Sequence, residues 1–467
     1  MSRIESVPVA QTPEETRLRG ILSSRRRFAL LAGMLILGSA WLLGSCQETR
    51  PRPDIVLILI DTLRADHFPD AGQGDGSLPN LERLVQNGVV FERVIAPSSW
   101  TKTSMASIVT SQDPARHGVR GIEHALPDWL ATLAGELAGG GYHTIGVNTN
   151  PWLMGKFGFD AGFTVYETLK IGGGRYTRGP DVNRVALDRV EEAPHDHPVF
   201  LYVHYMDVHA PYRPAAHLYS APPISGPDGA AIPDARLELL YRKRGLDAPG
   251  VQQRALDLYG GQIRTVDAAI GELLDGLEGT RGSRDTVYVV TSDHGESFRE
   301  HGTTEHGRNL YPEVYEIPLV FHAPSRLPSG VRIEAQVRGI DVAPTLLSLA
   351  GIDAPASFEG EPLLPMKPGA IRDRVATGAV GLNDQVPNLD YVAVVTPDSL
   401  YVRERRNDRV EFYDLEADPG ALDDLGPDHP RARLLAKLEP PPGDAKAPRK
   451  TLDPEMIEQL RSLGYID

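Results

Sequence analysis

The chain has 467 residues, with 63 acidic against 48 basic side chains and a formal charge of −15. That length holds one large core plus a smaller domain, and the acidic balance argues against nucleic acid, whose backbone is bound by basic patches that displace counterions. A single cysteine, Cys46, excludes an internal disulfide framework, a cysteine-rich zinc site and an iron–sulfur cluster.

At the N-terminus, Arg25-Arg26-Arg27 precede an apolar run over 28–43, and Leu43-Gly44-Ser45-Cys46 follows. A basic flank, an apolar core and small residues at a junction form an export signal. The run is shorter than the roughly 20 residues that span a bilayer. With its junctional cysteine, 1–46 resembles a bacterial lipoprotein signal. The expectation is export to the periplasmic side of the cell envelope, with lipidated Cys46 as membrane anchor. An uncleaved transmembrane anchor is the alternative.

Folded structure is expected from Asp54, where Ile55-Val56-Leu57-Ile58-Leu59-Ile60 runs without alternation. Such a run fits a strand covered on both faces, as in a parallel sheet between helices. Asp61 follows at its carboxyl end, where open α/β sheets place ligand chemistry. The pattern then repeats. Helices are expected over 79–87, 130–138, 255–277 and 341–349, and strands over 89–91, 144–147, 199–205, 286–291 and 317–321. This alternation predicts a doubly wound α/β catalytic domain over 54–370. Short antiparallel strands at 391–395, 399–402 and 411–413, with a helix near 454–462, predict a small α+β subdomain over 371–467.

Three strand ends carry acids or imidazoles: Asp61, then Asp207 with His209, then Asp293-His294 with His301 and His306 beyond. Carboxylate and imidazole at converging termini suit a divalent cation. For any one such Asp, a turn or helix cap is the plainer role. Between the first two ends, 97–110 reads as a helix start crowded with hydroxyls. Free N–H groups there receive an anion, and a hydroxyl beside a metal can become a nucleophile. Periodicity does not say which hydroxyl that is.

Ordered pieces of the chain resemble the sulfatase family within the alkaline phosphatase superfamily. They include Asp61-Thr62-Leu63-Arg64-Ala65-Asp66-His67, Pro114-Ala115-Arg116-His117-Gly118, His204-Tyr205-Met206-Asp207-Val208-His209, Asp293-His294-Gly295-Glu296 and Glu305-His306-Gly307. The resemblance implies a mixed central sheet flanked by helices. It also implies one divalent ion (Ca²⁺, Mg²⁺, Mn²⁺ or Zn²⁺) held by Asp61, Asp293, His294 and the nucleophile. A two-metal site fits less well, because position 211 is a proline where a second-site histidine is expected. Thr101 falls at the nucleophile position, and His209 and His306 at substrate or leaving-group positions. Lys102 and Arg64 are candidates to neutralise a transferring oxyanion.

Two departures stand out. Thr62 occupies a position where family sulfatases often place a second acid. Thr101-Lys102-Thr103-Ser104-Met105 replaces the Cys/Ser-x-Pro-x-Arg motif that yields formylglycine. An unmodified threonine ester is released by attack at phosphorus or sulfur, which favours phosphoryl over sulfuryl transfer. The expected activity is therefore hydrolysis of an anionic phosphate or sulfate ester, glycan- or lipid-linked. A phosphoryl transferase acting on the envelope and an inactive glycan-binding homologue are the alternatives.

Overall fold

The computed structural model describes residues 50–69, 77–169, 177–215, 217–218, 224–225, 231–232, 250–282, 284–365, 371–381, 389–441 and 446–462. Cys46 and the export signal lie outside them, as do most of the loop at 212–250 and the closing 463–467. Residues 52–467 form one compact unit. Among the described residues, no helix is long and apolar enough to cross a membrane.

In chain order, strand β1 (Asp54–Ile60) is followed by helix α1 (Pro79–Asn87), strand β2 (Val89–Ile95), helix α2 (Thr101–Thr110) and a single turn α3 (Pro114–His117). Helix α4 (Leu133–Gly139) leads to β3 (His143–Asn148) and β4 (Val165–Thr168), and α5 (Gly179–Glu191) to β5 (Val199–Tyr205). A short pair, β6 (Ile224–Ser225) and β7 (Ala231–Ile232), precedes the long helix α6 (Val251–Arg281) and β8 (Thr286–Thr291). The hairpin β9 (Ser297–Phe298) and β10 (Thr304–Glu305), the turn α7 (Pro312–Tyr315) and β11 (Glu316–His322) come next. Strands β12 (Val331–Ile333) and β13 (Val337–Arg338) then lead to helix α8 (Val342–Leu349). The chain closes with β14 (Ala376–Gly381), β15 (Asp390–Thr396), β16 (Ser399–Glu404), β17 (Arg409–Asp414), α9 (Pro430–Leu435) and α10 (Pro454–Ser462).

The main sheet runs β12-β2-β11-β8-β1-β5-β3-β4, with β13 also on β2. Strands β8, β1, β5, β3 and β4 pair in parallel, and β11 runs against its neighbours. The uninterrupted apolar run of β1 is explained by two separate cores. Ile55, Leu57 and Leu59 pack into one cluster and Val56, Ile58 and Ile60 into the other. Each face is thus buried by every second residue, as the pleat requires. The second sheet, β14-β15-β16-β17, is antiparallel and separate.

Two expectations needed adjustment. The helix expected from residue 130 begins at Leu133, because Thr132 caps it by accepting the Gly135 N–H. Strand β14, of sequence Ala-Thr-Gly-Ala-Val-Gly, was not anticipated, since small residues carry little strand propensity and only pairing to β15 fixes it.

Candidate active site

Parallel pairing brings the site together. Leu59 of β1 lies opposite both His204 of β5 and Thr291 of β8. The residues just beyond these strands, Asp61 on one and Asp293-His294 on the other, therefore emerge at one edge. Strand β2 also points its carboxyl end there and delivers Thr101 as the first residue of α2.

Asp61, Asp293 and His294 are wholly buried, with ligand-capable atoms within 4.8 Å of one another. Asp61 Oδ1 and Asp293 Oδ2 have no hydrogen-bond partner, although unpaired buried carboxylate oxygens are costly. His294 Nδ1 donates to the Gly295 carbonyl at 2.9 Å, which leaves the Nε2 lone pair inward. Two orphaned oxygens beside an imidazole lone pair fit a divalent cation. They form the one such cluster among the described residues, consistent with a one-metal centre.

The electrostatics agree. Burial raises the Asp61 pKa, but hydrogen bonding from His204 and the nearby imidazoles outweigh it and hold the carboxyl well below the usual range. Asp293 is pushed up, by burial first and then by the charge of Asp61. Two such groups at one site need a positive charge between them.

Thr101 Oγ1 donates to His294 Nε2 at 3.1 Å, so the expected nucleophile touches the expected ligand set. Helix α2 has no side-chain cap at Trp100, and its first N–H groups remain available to an anion. Thr62 has φ of 60°, uncommon for a β-branched residue. Its N–H reaches Asp293 Oδ1 at 3.3 Å and its hydroxyl donates to the Asp61 carbonyl at 2.7 Å.

The histidines gather. The His306 ring centroid lies 4.5 Å from that of His294 and 4.9 Å from that of His209. His306 Nδ1 donates to Glu296 Oε1 at 3.0 Å, while the Tyr212 hydroxyl donates to Glu296 Oε2 at 2.9 Å. Burial, the largest influence, pushes His209 down to about 4.

Other candidates are engaged elsewhere. Lys102 is fully buried, donates to the Ile122 carbonyl at 2.6 Å and lies 3.3 Å from the Phe157 ring centroid. Arg64 is paired with Asp66 at 2.6 Å and Glu300 at 2.5 Å. Asp207 accepts the Gly179 N–H at 3.2 Å and does not join the metal cluster. His301 lies between Glu313 at 2.9 Å and the Ala421 carbonyl at 2.8 Å.

Sequence reasoning missed the partners of Asp61: Asn150 Nδ2 and His204 Nε2, each donating to Oδ2 at 2.9 Å. The available signal was a polar residue, His204, interrupting an otherwise apolar buried strand beside the end of β1. Asn150, on a loop after β3, carries no signal in the sequence. His117 in the Pro-Ala-Arg-His-Gly motif proves structural. It accepts the Val119 N–H at 3.0 Å and contacts Ser107 Oγ at 2.8 Å.

Sheet, strand-end carboxylates and helix-borne hydroxyl together define a metal-dependent ester hydrolase on an alkaline-phosphatase-like fold. The sulfatase family profile matches residues 53–352, and the chain belongs to that family. A second profile, N-sulphoglucosamine sulphohydrolase, C-terminal, matches residues 299–441. A sulfatase from Formosa agariphila is 25% identical, with 85% of this chain and 87% of that protein covered. A solved 2-O GAG sulfatase superposes with a TM-score of 0.66 at 18% identity, covering 83% of this chain and 90% of that one. Phosphonate monoester hydrolase from Silicibacter pomeroyi gives 0.62 at 20% identity, covering 83% and 94%.

Proposed function

We propose that Thr101 is the nucleophile of a phosphate or sulfate ester hydrolase acting on an anionic, sugar-linked substrate. The observation that carries this is the Thr101 hydroxyl at 3.1 Å from His294 Nε2, beside two unpartnered carboxylate oxygens. Asp61, Asp293 and His294 hold the divalent ion, which supplies Lewis-acid stabilisation of developing negative charge when bound. The start of α2 orients the ester's non-bridging oxygens through its N–H groups.

Thr101 Oγ sheds its proton to solvent as it forms a bond to phosphorus or sulfur and the bond to the alcohol oxygen breaks. His306, oriented by Glu296, gives that oxygen its proton, and His209 hydrogen-bonds the substrate. Water attacks the threonine ester on the same central atom, one of its protons returns to His306, and Thr101 Oγ takes a proton back from solvent as its ester bond breaks. The products are the free alcohol and the inorganic anion. Lys102 and Arg64 serve the frame rather than the substrate: one anchors the 122 and 157 segments under α2, the other ties the turn after β1 to Glu300.

The sugar-linked substrate follows the glycan ester named for the 2-O GAG sulfatase, whose fold this chain shares. Unmodified threonine favours the phosphate ester, in line with the phosphonate monoester hydrolase likeness. Tethering through Cys46 to the periplasmic face belongs to the same reading. Loss of palmitate incorporation in Cys46→Ala checks it, and unchanged membrane association in that variant removes it.

The deciding experiment is a screen of aryl phosphate monoesters, diesters, phosphonates and sulfates against wild type, Thr101→Ser and Thr101→Ala. Turnover by wild type, trapped or slowed in Thr101→Ser and absent in Thr101→Ala, is expected. Full turnover in Thr101→Ala removes the assignment.

A further inference from the structure

Around the Asp61–Asp293–His294 cluster, the protein has already committed most atoms that a large cation would use. Asp61 Oδ2 accepts from Asn150 and His204, each at 2.9 Å, and only Oδ1 is open. Asp293 Oδ1 accepts the N–H groups of Thr62 at 3.3 Å and His294 at 3.0 Å, and only Oδ2 is open. The neighbouring carbonyls are occupied too. That of Asp61 takes the Thr62 hydroxyl at 2.7 Å, that of Asp293 takes Ser104 at 2.6 Å, and that of Thr62 takes Tyr259 at 2.8 Å. Position 62, the residue nearest to offering a further carboxylate, is a threonine whose hydroxyl is spent on backbone.

We infer that this centre selects a small borderline ion of the Zn²⁺ kind and rejects Ca²⁺, because Asn150, His204 and backbone donors restrict each carboxylate to one oxygen. This rests on the metal centre of the proposed function. Asp61, Asp293 and His294 offer one atom each, and Thr101 Oγ1, 3.1 Å from His294 Nε2, makes a fourth. Zn²⁺ is satisfied by about four nitrogen and oxygen ligands, with three from the protein in catalytic sites. Ca²⁺ takes roughly 6–8 oxygens and commonly uses a carboxylate through both. An imidazole in the set adds to the preference, since nitrogen donors suit Zn²⁺ better than Ca²⁺.

The restriction is built to last. His204 presents Nε2–H to Asp61 because Nδ1 is held at 2.7 Å by the Tyr202 hydroxyl, and His204 is wholly buried. Asn150 is fixed in turn, its Oδ1 accepting the Trp152 N–H at 2.9 Å. Neither donor can swing away to free Oδ2 without losing its own partner. Such outer partners commonly change metal affinity by about 10–100-fold.

The test uses metal-stripped full-length protein, titrated separately with Zn²⁺ and Ca²⁺ in a calorimeter, with the Zn²⁺ form then measured by X-ray absorption. One equivalent of Zn²⁺, a shell of about four nitrogen or oxygen neighbours near 2.0–2.1 Å, and no uptake at millimolar Ca²⁺ are expected. Stoichiometric Ca²⁺ binding, or six or more neighbours around Zn²⁺, overturns the selection but leaves the metal centre standing. Uptake of neither ion overturns both. In Asn150→Ala, with one of the two donors on Asp61 Oδ2 removed and His204 left as the other, Zn²⁺ affinity should fall about 10-fold or more and the discrimination against Ca²⁺ should narrow. An Asn150→Ala protein with a wild-type circular dichroism spectrum and unchanged affinity for both ions also overturns it.

Discussion

Thr101 has a hydroxyl that can do nothing useful to the fold where it stands, since its hydrogen bond goes to His294 Nε2 rather than to backbone. Removing it therefore separates chemistry from stability. Thr101→Ala should lose at least about 1,000-fold in kcat, in the range seen when an essential nucleophile is deleted, with the apo-protein melting temperature retained and the ion held more weakly by the three remaining ligands. Steady-state kinetics and elemental analysis on the same sample check this. Asp207 makes the opposite case, a strand-end acid with no place in the metal cluster. Burial, the largest influence, raises it from 3.8 to about 6, against the opposing Gly179 N–H and Arg178. The folded chain thus holds an extra proton between those values, so stability falls as pH rises through about 6. Asp207→Asn should gain on the order of 2 kcal/mol above that pH, and the advantage should vanish below about pH 4. Denaturant melts at both ends of the range give the comparison.

At the scale of elements, strand tips supply the ligands and tight loops aim them. Gly295, beside the ligand pair, passes so close to α7 that a Cβ would sit 2.1 Å from the Glu313 carbonyl oxygen. Gly295→Ala should cost about 1–3 kcal/mol by overpacking, displace His294 and weaken metal binding, as calorimetry would show. The elements most legible in the sequence were those most deeply buried: β1 and β5 are buried throughout and β8 over most of its length, and they match their apolar runs because both faces are covered. The site was legible wherever a ligand follows such a run directly, as Asp61 and Asp293-His294 do. It was illegible where the residue sits on a loop placed by tertiary packing, as Asn150 does, or where a charge was available by type but not by direction. Lys102 and Arg64 belong to the last kind. Their residue types suit an oxyanion, yet a carbonyl, an aromatic ring and two carboxylates had already claimed them.

For the whole molecule, the two sheets are topologically separate but not energetically so. Ala376, Val380, Ala393 and Val395 of the small sheet share one hydrophobic cluster with Phe91 of β2 and Trp100 and Met105 near the site. A chain truncated after residue 370 should therefore fail to melt cooperatively or remain insoluble. Circular dichroism of that fragment tests the point, and an intact thermal transition counts against it. Metal removal should act globally as well. Stripping the centre leaves Asp61 and Asp293 facing each other in the interior, so the melting temperature should drop and recover with added ion. The recovery should rise with the logarithm of ion concentration, about 2.7 kcal/mol at 100 times Kd.

Met105 stands where the family's nucleophile motif carries an arginine, and it lines a small apolar chamber with Leu57, Leu126, Leu133 and Phe200. A guanidinium there would lose water without gaining a carboxylate, a penalty of several kcal/mol. Placing a cysteine at 101 would leave the motif without its proline and arginine, and an arginine at 105 would unsettle the core. On the proposed Thr101 nucleophile no modifying partner is needed, so a host lacking the formylglycine machinery should still yield protein that is competent as soon as it folds and takes up its ion.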